Sequence, residues 1–414
     1  MLQSFGEEER ESESLIRVLL MRMGALSSSS SLAASGMVKS ESTRGWKSGR
    51  RWPLESAKKC SARDLPLLDM PDDDASGESR EAFARDLRRA CSESGFFYLK
   101  PPKSLFGEEE NEEIFEAAKS FFALSMEEKM KMDYANSPQF RGYVSLGLEN
   151  TRGKIDAREQ VEFGVHSAPK RRKDMTHFYE RLIGENQYPS NEFEETMEKF
   201  IDRMDAISRQ LTRYLALSLE LEETYFDYMF AEQPNMQMKI CKYPIAIDGG
   251  ESSFGVGPHT DTSFVSILLQ DDVGGLQVEI EKDAWIDATP IEGYFVVNIG
   301  EMLQIMTGGY YKATPHRVLS PTSKSIDENK ARLSIPYFWN PRLDFVAKED
   351  GEITKKGFST AVEEQSETSN ENRIINAYGE NAFKSLARSH PKVFAKHHPD
   401  LLVRSDGTIE KKKS

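Results

Sequence analysis

The sequence predicts an α+β protein whose core is a β-sandwich or jelly roll buttressed by helices. Three observations carry that expectation. From Met236 onward, short β-branched and aromatic runs recur at close spacing with turn residues between them. Ahead of them, Glu192 to Phe226 repeats apolar residues at spacings of three and four, the period of a long amphipathic helix. Residues 62–180 mix helical and strand-like segments. Many short strands in succession fit packed antiparallel sheets better than a parallel sheet alternating with helices.

The elements follow in order. Residues 1–61 read as a tail outside the fold. Its first thirteen residues are acidic, and from Arg17 to Arg51 there are seven basic residues, one acidic residue and a serine run. The second half has the composition of a mitochondrial or plastid transit peptide, and the acidic start does not. Leu65–Asp69 is a strand-like segment, Ala82–Cys91 an amphipathic helix and Gly95–Leu99 a strand. Ile114–Ala123 is a second helix. Ser125 caps a third, with Glu128 as its capping-box partner. Residues 139–165 read as loop and short strand.

In the Glu192–Phe226 helix, Phe193, Met197, Phe200, Met204, Ile207, Leu211 and Tyr214 form one stripe, which is packing rather than a cofactor site. The expected strands are Met236–Tyr243, Phe264–Leu269, Leu276–Ile280, Trp285–Ala288, Tyr294–Ile299, Ala313–Leu319 and Arg332–Phe338. Turn signals such as Asp248-Gly249-Gly250 and Gly274-Gly275 divide them. The segment Ala347–Asn372 is polar, and a last helix covers about Asn376–Ala387. The expected divisions are therefore 1–61, 62–180, 181–234, 235–345 and 346–414.

Composition removes several classes of function. The formal net charge of −14 disfavours nucleic acid as a partner, because phosphate binding needs a basic face. Three dispersed cysteines, Cys60, Cys91 and Cys241, give neither a disulfide framework nor zinc-finger spacing. No N-x-S/T sequon is present, so a reducing, intracellular setting is expected. It is cytoplasmic by default, and plastid or mitochondrial if residues 17–51 act as a transit peptide. The longest apolar run, Leu15–Leu26, is short and carries two arginines, so no membrane span is expected.

The chemistry centres on His259-Thr260-Asp261 in GVGPHTDTSFVSILLQ. On a strand, i and i+2 share a face, which would bring an imidazole and a carboxylate to one point. Such pairs also arise by chance. His316 in ATPHRVL offers a third ligand, and two histidines with one carboxylate suit a non-haem Fe(II) site with open positions. His166, His177, His390, His397 and His398 stand in polar contexts and are expected at the surface. Arg332 and Ser334 share a strand face and suit a carboxylate held by paired hydrogen bonds. The competing reading of that pair is a structural ion pair. Tyr243, in CKYP, is a further donor to the same anion or a packed strand tyrosine. Phe264 and Phe338 either face a substrate or pack in the core.

Taken together, GVGPHTDTSFVSILLQDDVGGLQV, VVNIGEMLQIMTGGYYKATPHRV and ARLSIPYFWNP resemble the 2-oxoglutarate/Fe(II)-dependent dioxygenase superfamily, in its isopenicillin N synthase-like branch. Upstream, LPLLDM, SGFFYL and GKIDAREQVEFG resemble that branch's N-terminal domain, so the likeness covers roughly residues 62–345. It implies a double-stranded β-helix (jelly roll) core. It also implies His259, Asp261 and His316 as iron ligands, with Arg332, Ser334 and Tyr243 around the distal carboxylate of 2-oxoglutarate. The implied cofactors are Fe(II), 2-oxoglutarate and O2, with ascorbate in support. The implied reaction is hydroxylation or desaturation of a small organic molecule with release of succinate and CO2. The alternatives are an isopenicillin N synthase-like or ethylene-forming-type oxidase that does not use 2-oxoglutarate, and, more remotely, an inactive binding module. A monomer is expected. Glu301 stands where the family usually has Asp, and Cys241-Lys242 where it commonly has Asn-Tyr.

Overall fold

The computed structural model describes residues 65–151, 154–245, 254–321, 331–358, 377–404 and 407–412. The expected tail, the turn at Asp248-Gly249-Gly250 and most of the polar segment after Ala347 lie outside these residues.

Strands β1 (Leu67–Asp69), β2 (Phe96–Lys100), β3 (Gly142–Val144), β4 (Asn150–Thr151), β5 (Lys154–Ile155) and β6 (Glu159–Gly164) come from the N-terminal part. They are followed by β7 (Gln237–Tyr243), β8 (Phe254–His259), β9 (Val265–Gln270), β10 (Leu276–Glu281), β11 (Ala284–Asp287), β12 (Phe295–Ile299), β13 (His316–Leu319) and β14 (Arg332–Trp339). A final pair, β15 (Leu401–Val403) and β16 (Ile409–Lys411), forms its own ribbon. The major sheet has eight strands in the order β1-β2-β12-β9-β14-β7-β6-β3, and the minor sheet has four, β11-β10-β13-β8. Pairing is antiparallel throughout the major sheet except between β1 and β2. The residues expected to form an N-terminal domain therefore supply both edges of the core sheet.

The first three helices each have a visible reason to begin. In α1 (Gly77–Glu93), the Ser76 hydroxyl accepts from the Ser79 amide. The helix α2 (Glu108–Ala123) starts earlier than expected, because Glu108, Glu109 and Glu110 favour the positive end of a helix dipole. At α3 (Met126–Lys131) the capping box forms as expected, with reciprocal Ser125 and Glu128 bonds.

The long helix α4 (Asn191–Ser218) buries Met197, Met204, Ile207 and Leu211 completely. It stops short of the expected Phe226. Glu220 takes a left-handed φ of 58°, and the Leu221 amide closes back on the Ala216 carbonyl at 3.0 Å. Three further helices, α5 (Glu301–Met306), α6 (Gly351–Lys355) and α8 (Pro391–His397), are too short for periodicity to reveal, and α7 (Tyr378–Ser389) is the last expected helix.

Two apolar cores result. One lies between the outer face of the major sheet and the helices, and includes Leu211, Phe264 and Trp339. Phe264 packs edge-on against Phe226 and Phe230, so it belongs to this core and not to a substrate face. The second core lies between the sheets and joins Phe96, Tyr98 and Tyr243 to Val256, Val278 and Val318. The candidate site opens from this inter-sheet space.

Candidate functional site

Strand β8 ends at His259 and β13 begins at His316. The two are cross-strand partners, with ring centroids 4.2 Å apart. Asp261 sits not on the strand but in the loop between β8 and β9. The shared face of one strand is therefore not what brings His259 and Asp261 together. The loop is instead tied to the start of α5, where Glu301 N donates to the Asp261 carbonyl at 2.8 Å and Gly300 N to Phe264 O at 3.0 Å. Gly300 is required here by close approach, since a Cβ would lie 1.8 Å from the Ser263 carbonyl oxygen. Glu301 accepts from the Thr260 hydroxyl at 2.5 Å and so holds the middle of the motif.

The polar atoms are aimed. His259 Nδ1 lies 2.9 Å from Gly257 O, and His316 Nδ1 lies 3.2 Å from Thr314 O. A carbonyl can only accept, so in the neutral ring each Nδ1 carries the proton and each Nε2 presents its lone pair. Asp261 Oδ2 accepts from Ser266 Oγ (2.7 Å) and Asn298 Nδ2 (2.9 Å). Its Oδ1 is left 3.7 Å from His259 Nε2 and 3.6 Å from His316 Nε2. The three ligand atoms lie within 4.8 Å of one another, a spacing that could hold a metal ion. Burial, and then His316 beside it, lowers the His259 pKa to about 3, so its imidazole is neutral. Burial by itself would raise the Asp261 pKa, but the two imidazoles and its two hydrogen bonds hold it below the usual value. Two imidazoles and a carboxylate, all on one side, suit Fe(II) with open positions.

Along β14, Arg332 and Ser334 pair with Tyr243 and Cys241 of β7, so all four face the inter-sheet space. The Arg332 guanidinium carbon lies 4.9 Å from the Tyr243 ring centroid. Arg332 is fully buried. Its Nη2 donates to Gln270 Oε1 at 3.2 Å, while Nε and Nη1 have no hydrogen-bond partner. Buried donors without partners are costly, and a carboxylate would satisfy them. Tyr243 packs closely enough that a Cβ on Gly255 would meet its ring at 2.5 Å. Phe338 is partly buried opposite Ser266 and Gln237, on the site's side of the sheet.

Several polar residues of the site were not singled out from the sequence. Asn298 was legible in principle as the one amide in the apolar run FVVNI. Ser266 and Gln270 share alternate positions on β9. Arg158 lies 3.8 Å from Cys241 Sγ and contributes to the lowered pKa of His259. The surface expectation fails for two histidines. His390 and His398 are 1% and 0% exposed, because α7 and α8 fold back onto residues 134–140.

Two family models match. Residues 65–191 fit the N-terminal domain of non-haem dioxygenases in morphine synthesis, and residues 234–341 fit the 2OG-Fe(II) oxygenase superfamily. A 2-oxoglutarate-dependent dioxygenase of Dothideomycetidae sp. is 37% identical over 68% of this chain and 75% of its own length. A homoarginine-6-hydroxylase of Glycine max is 34% identical over 67% of this chain and 84% of its own. Among solved structures, a full-length Neurospora crassa protein crystallised in complex with alpha-KG superposes with a TM-score of 0.62 at 26% identity, covering 79% of this chain and 96% of that one. The jelly-roll topology, the metal-ready triad and these likenesses agree: the chain belongs to the 2-oxoglutarate/Fe(II)-dependent oxygenase superfamily and is a non-haem dioxygenase using Fe(II), 2-oxoglutarate and O2.

Proposed function

We propose that His259, Asp261 and His316 hold the Fe(II), and that Arg332, Ser334 and Tyr243 hold the distal carboxylate of 2-oxoglutarate. The observation that carries this reading is the matched pair of unsatisfied groups facing one space: three converging ligand atoms, and a sealed guanidinium with two free donors. When bound, Fe(II) and 2-oxoglutarate supply the oxidising chemistry with O2, releasing succinate and CO2 as a small organic substrate is hydroxylated or desaturated. The chain's own part is positional. Gly257 O and Thr314 O fix the imidazole tautomers, and Ser266 and Asn298 turn one Asp261 oxygen toward the metal position. Arg332 and Ser334 fix the far end of the cosubstrate, and the apolar inter-sheet core excludes water from the reacting centre.

The test is anaerobic titration with Fe(II) and 2-oxoglutarate, read as the visible metal-to-ligand charge-transfer band. Asp261→Ala and His316→Ala should each abolish the band and tight iron binding. Iron binding that survives both substitutions sinks the ligand assignment. Arg332→Ala should keep iron but raise the Kd for 2-oxoglutarate by about 10- to 100-fold, the order expected for a lost bidentate contact.

A further inference from the structure

Outside the triad and the clamp, the described residues include a buried polar cluster on the same side of the major sheet. On β7, Lys239 follows Tyr243 and Cys241 at alternate positions, so it shares their face. Glu162 of β6 pairs with it directly across the ladder. Lys239 Nζ lies 3.1 Å from Glu149 Oε1 and 2.7 Å from Glu162 Oε1. Arg158 Nη2 lies 2.7 Å from Glu149 Oε2 and 3.2 Å from Asp156 Oδ2. Three carboxylates thus face two cations, all nine-tenths buried or nearly so.

Two observations point outward from this network to a ligand. Glu149 has both oxygens engaged, whereas Glu162 Oε2 has only His390 Nε2 at 3.4 Å, and that nitrogen makes no hydrogen bond. A cavity of about 20 Å3, space for roughly one water, lies against Glu162 and Lys239, bordered by Gln139, Phe140, Leu386 and Arg141, whose guanidinium is committed to the carbonyls of Val165, Leu182 and Gly184. Tyr134 and Phe140 turn their rings toward His390 and complete an aromatic wall. The spacing of Glu149, Glu162 and His390 would also suit a metal ion. Lys239 already occupies the position between the two carboxylates, bridging Glu149 Oε1 and Glu162 Oε1.

We propose that Glu162, backed by Lys239, Glu149 and Arg158 and capped by His390, receives a positively charged nitrogen of the prime substrate. This rests on the reading of the triad and clamp given above. A substrate cation at Glu162 Oε2 balances the extra carboxylate and fills an acceptor that the network leaves underused. Glu162 stands three strands from β9, whose Ser266 holds Asp261, or roughly 14 Å across the sheet at ordinary strand spacing. The substrate is therefore an extended molecule, cationic at one end and oxidised toward the other.

The test uses the full chain with Fe(II) and 2-oxoglutarate. L-arginine, L-lysine and spermidine are each paired with an uncharged-tail counterpart of similar length: L-citrulline, L-norleucine and 1,8-octanediol. At least one cationic member should perturb the anaerobic charge-transfer band and raise succinate release at least tenfold, while its counterpart does neither. For that member, Glu162→Gln should raise KM at least tenfold with a smaller change in kcat, and should narrow the preference over the uncharged counterpart. Glu162→Asp, which keeps the charge, should retain the preference. The proposal is overturned if no cationic member acts, if the uncharged counterparts act equally well, or if KM in Glu162→Gln stays within twofold. A network that balances its own charge without a substrate would give that last result. Absence of the band in the unaltered protein would instead remove the reading of the iron site, whereas a normal band that ignores the cations removes only this one.

Discussion

Asp261 illustrates how one residue's chemistry is set by neighbours that the sequence motif does not contain. Its Oδ2 is committed to Ser266 and Asn298, so only Oδ1 is turned to the two imidazoles. Asn298→Ala should leave the fold intact but let the carboxylate rotate, weakening iron binding about 10- to 100-fold, as is usual for groups that orient metal ligands. Equilibrium dialysis against Fe(II) checks this, and an unchanged affinity would show that Ser266 suffices. The triad itself was legible because each member sits in a short run whose local pattern is distinctive. Its geometry was not. The i, i+2 argument assumed a strand through Asp261, and the actual loop is held by backbone bonds to α5, which no local pattern encodes.

At the scale of elements, strand centres were readable and strand ends were not. Expected and observed limits differ by a few residues, as when Ala313–Leu319 contracts to His316–Leu319. Strand β8 was anticipated only at its end, through His259, since Gly255, Gly257 and Pro258 are poor strand formers although they lie on a strand of the minor sheet. The α4 stripe was plain, because every third or fourth residue is apolar and the opposite face is charged. That stripe carries stability. Leu211 is fully buried in the outer core, and Leu211→Ala should cost about 2–5 kcal/mol, through lost burial and an unfilled cavity. Urea unfolding followed by circular dichroism measures it. A loss below about 1 kcal/mol would mean that the helix repacks freely against the sheet.

At the scale of the molecule, the C-terminal segment is tied down by polar groups whose role only the folded chain reveals. His398 is fully buried, stacks on Phe140 and lies 2.9 Å from Pro138 O through Nε2, while Asp400 pairs with Arg181. Burial, ahead of the charge of Arg181, lowers the His398 pKa from 6.5 to about 4. The sign follows directly. Between these values the unfolded chain binds the proton and the folded chain does not, so the contribution is full above pH 6.5 and is lost as pH falls toward 4. The loss amounts to about 3 kcal/mol at most. Stability curves from pH 7 to 4 should slope accordingly, and His398→Gln should flatten them. An equal slope in the variant would assign the acid sensitivity elsewhere.

The order of the major sheet was the least legible feature, because pairing across long stretches of chain leaves no mark on either segment alone. Phe97 of β2 stands opposite Val297 of β12, 200 residues further on. At ribosomal speeds of roughly 5–20 residues per second, β2 would wait about 10–40 s for its partner to emerge. Throughout that interval its apolar FFYL run would have β1 on one side and a bare edge on the other. The chain thus has a built-in period of exposure during synthesis. A nascent fragment released before Ile299 would be expected to depend on chaperones, whatever the stability of the finished enzyme.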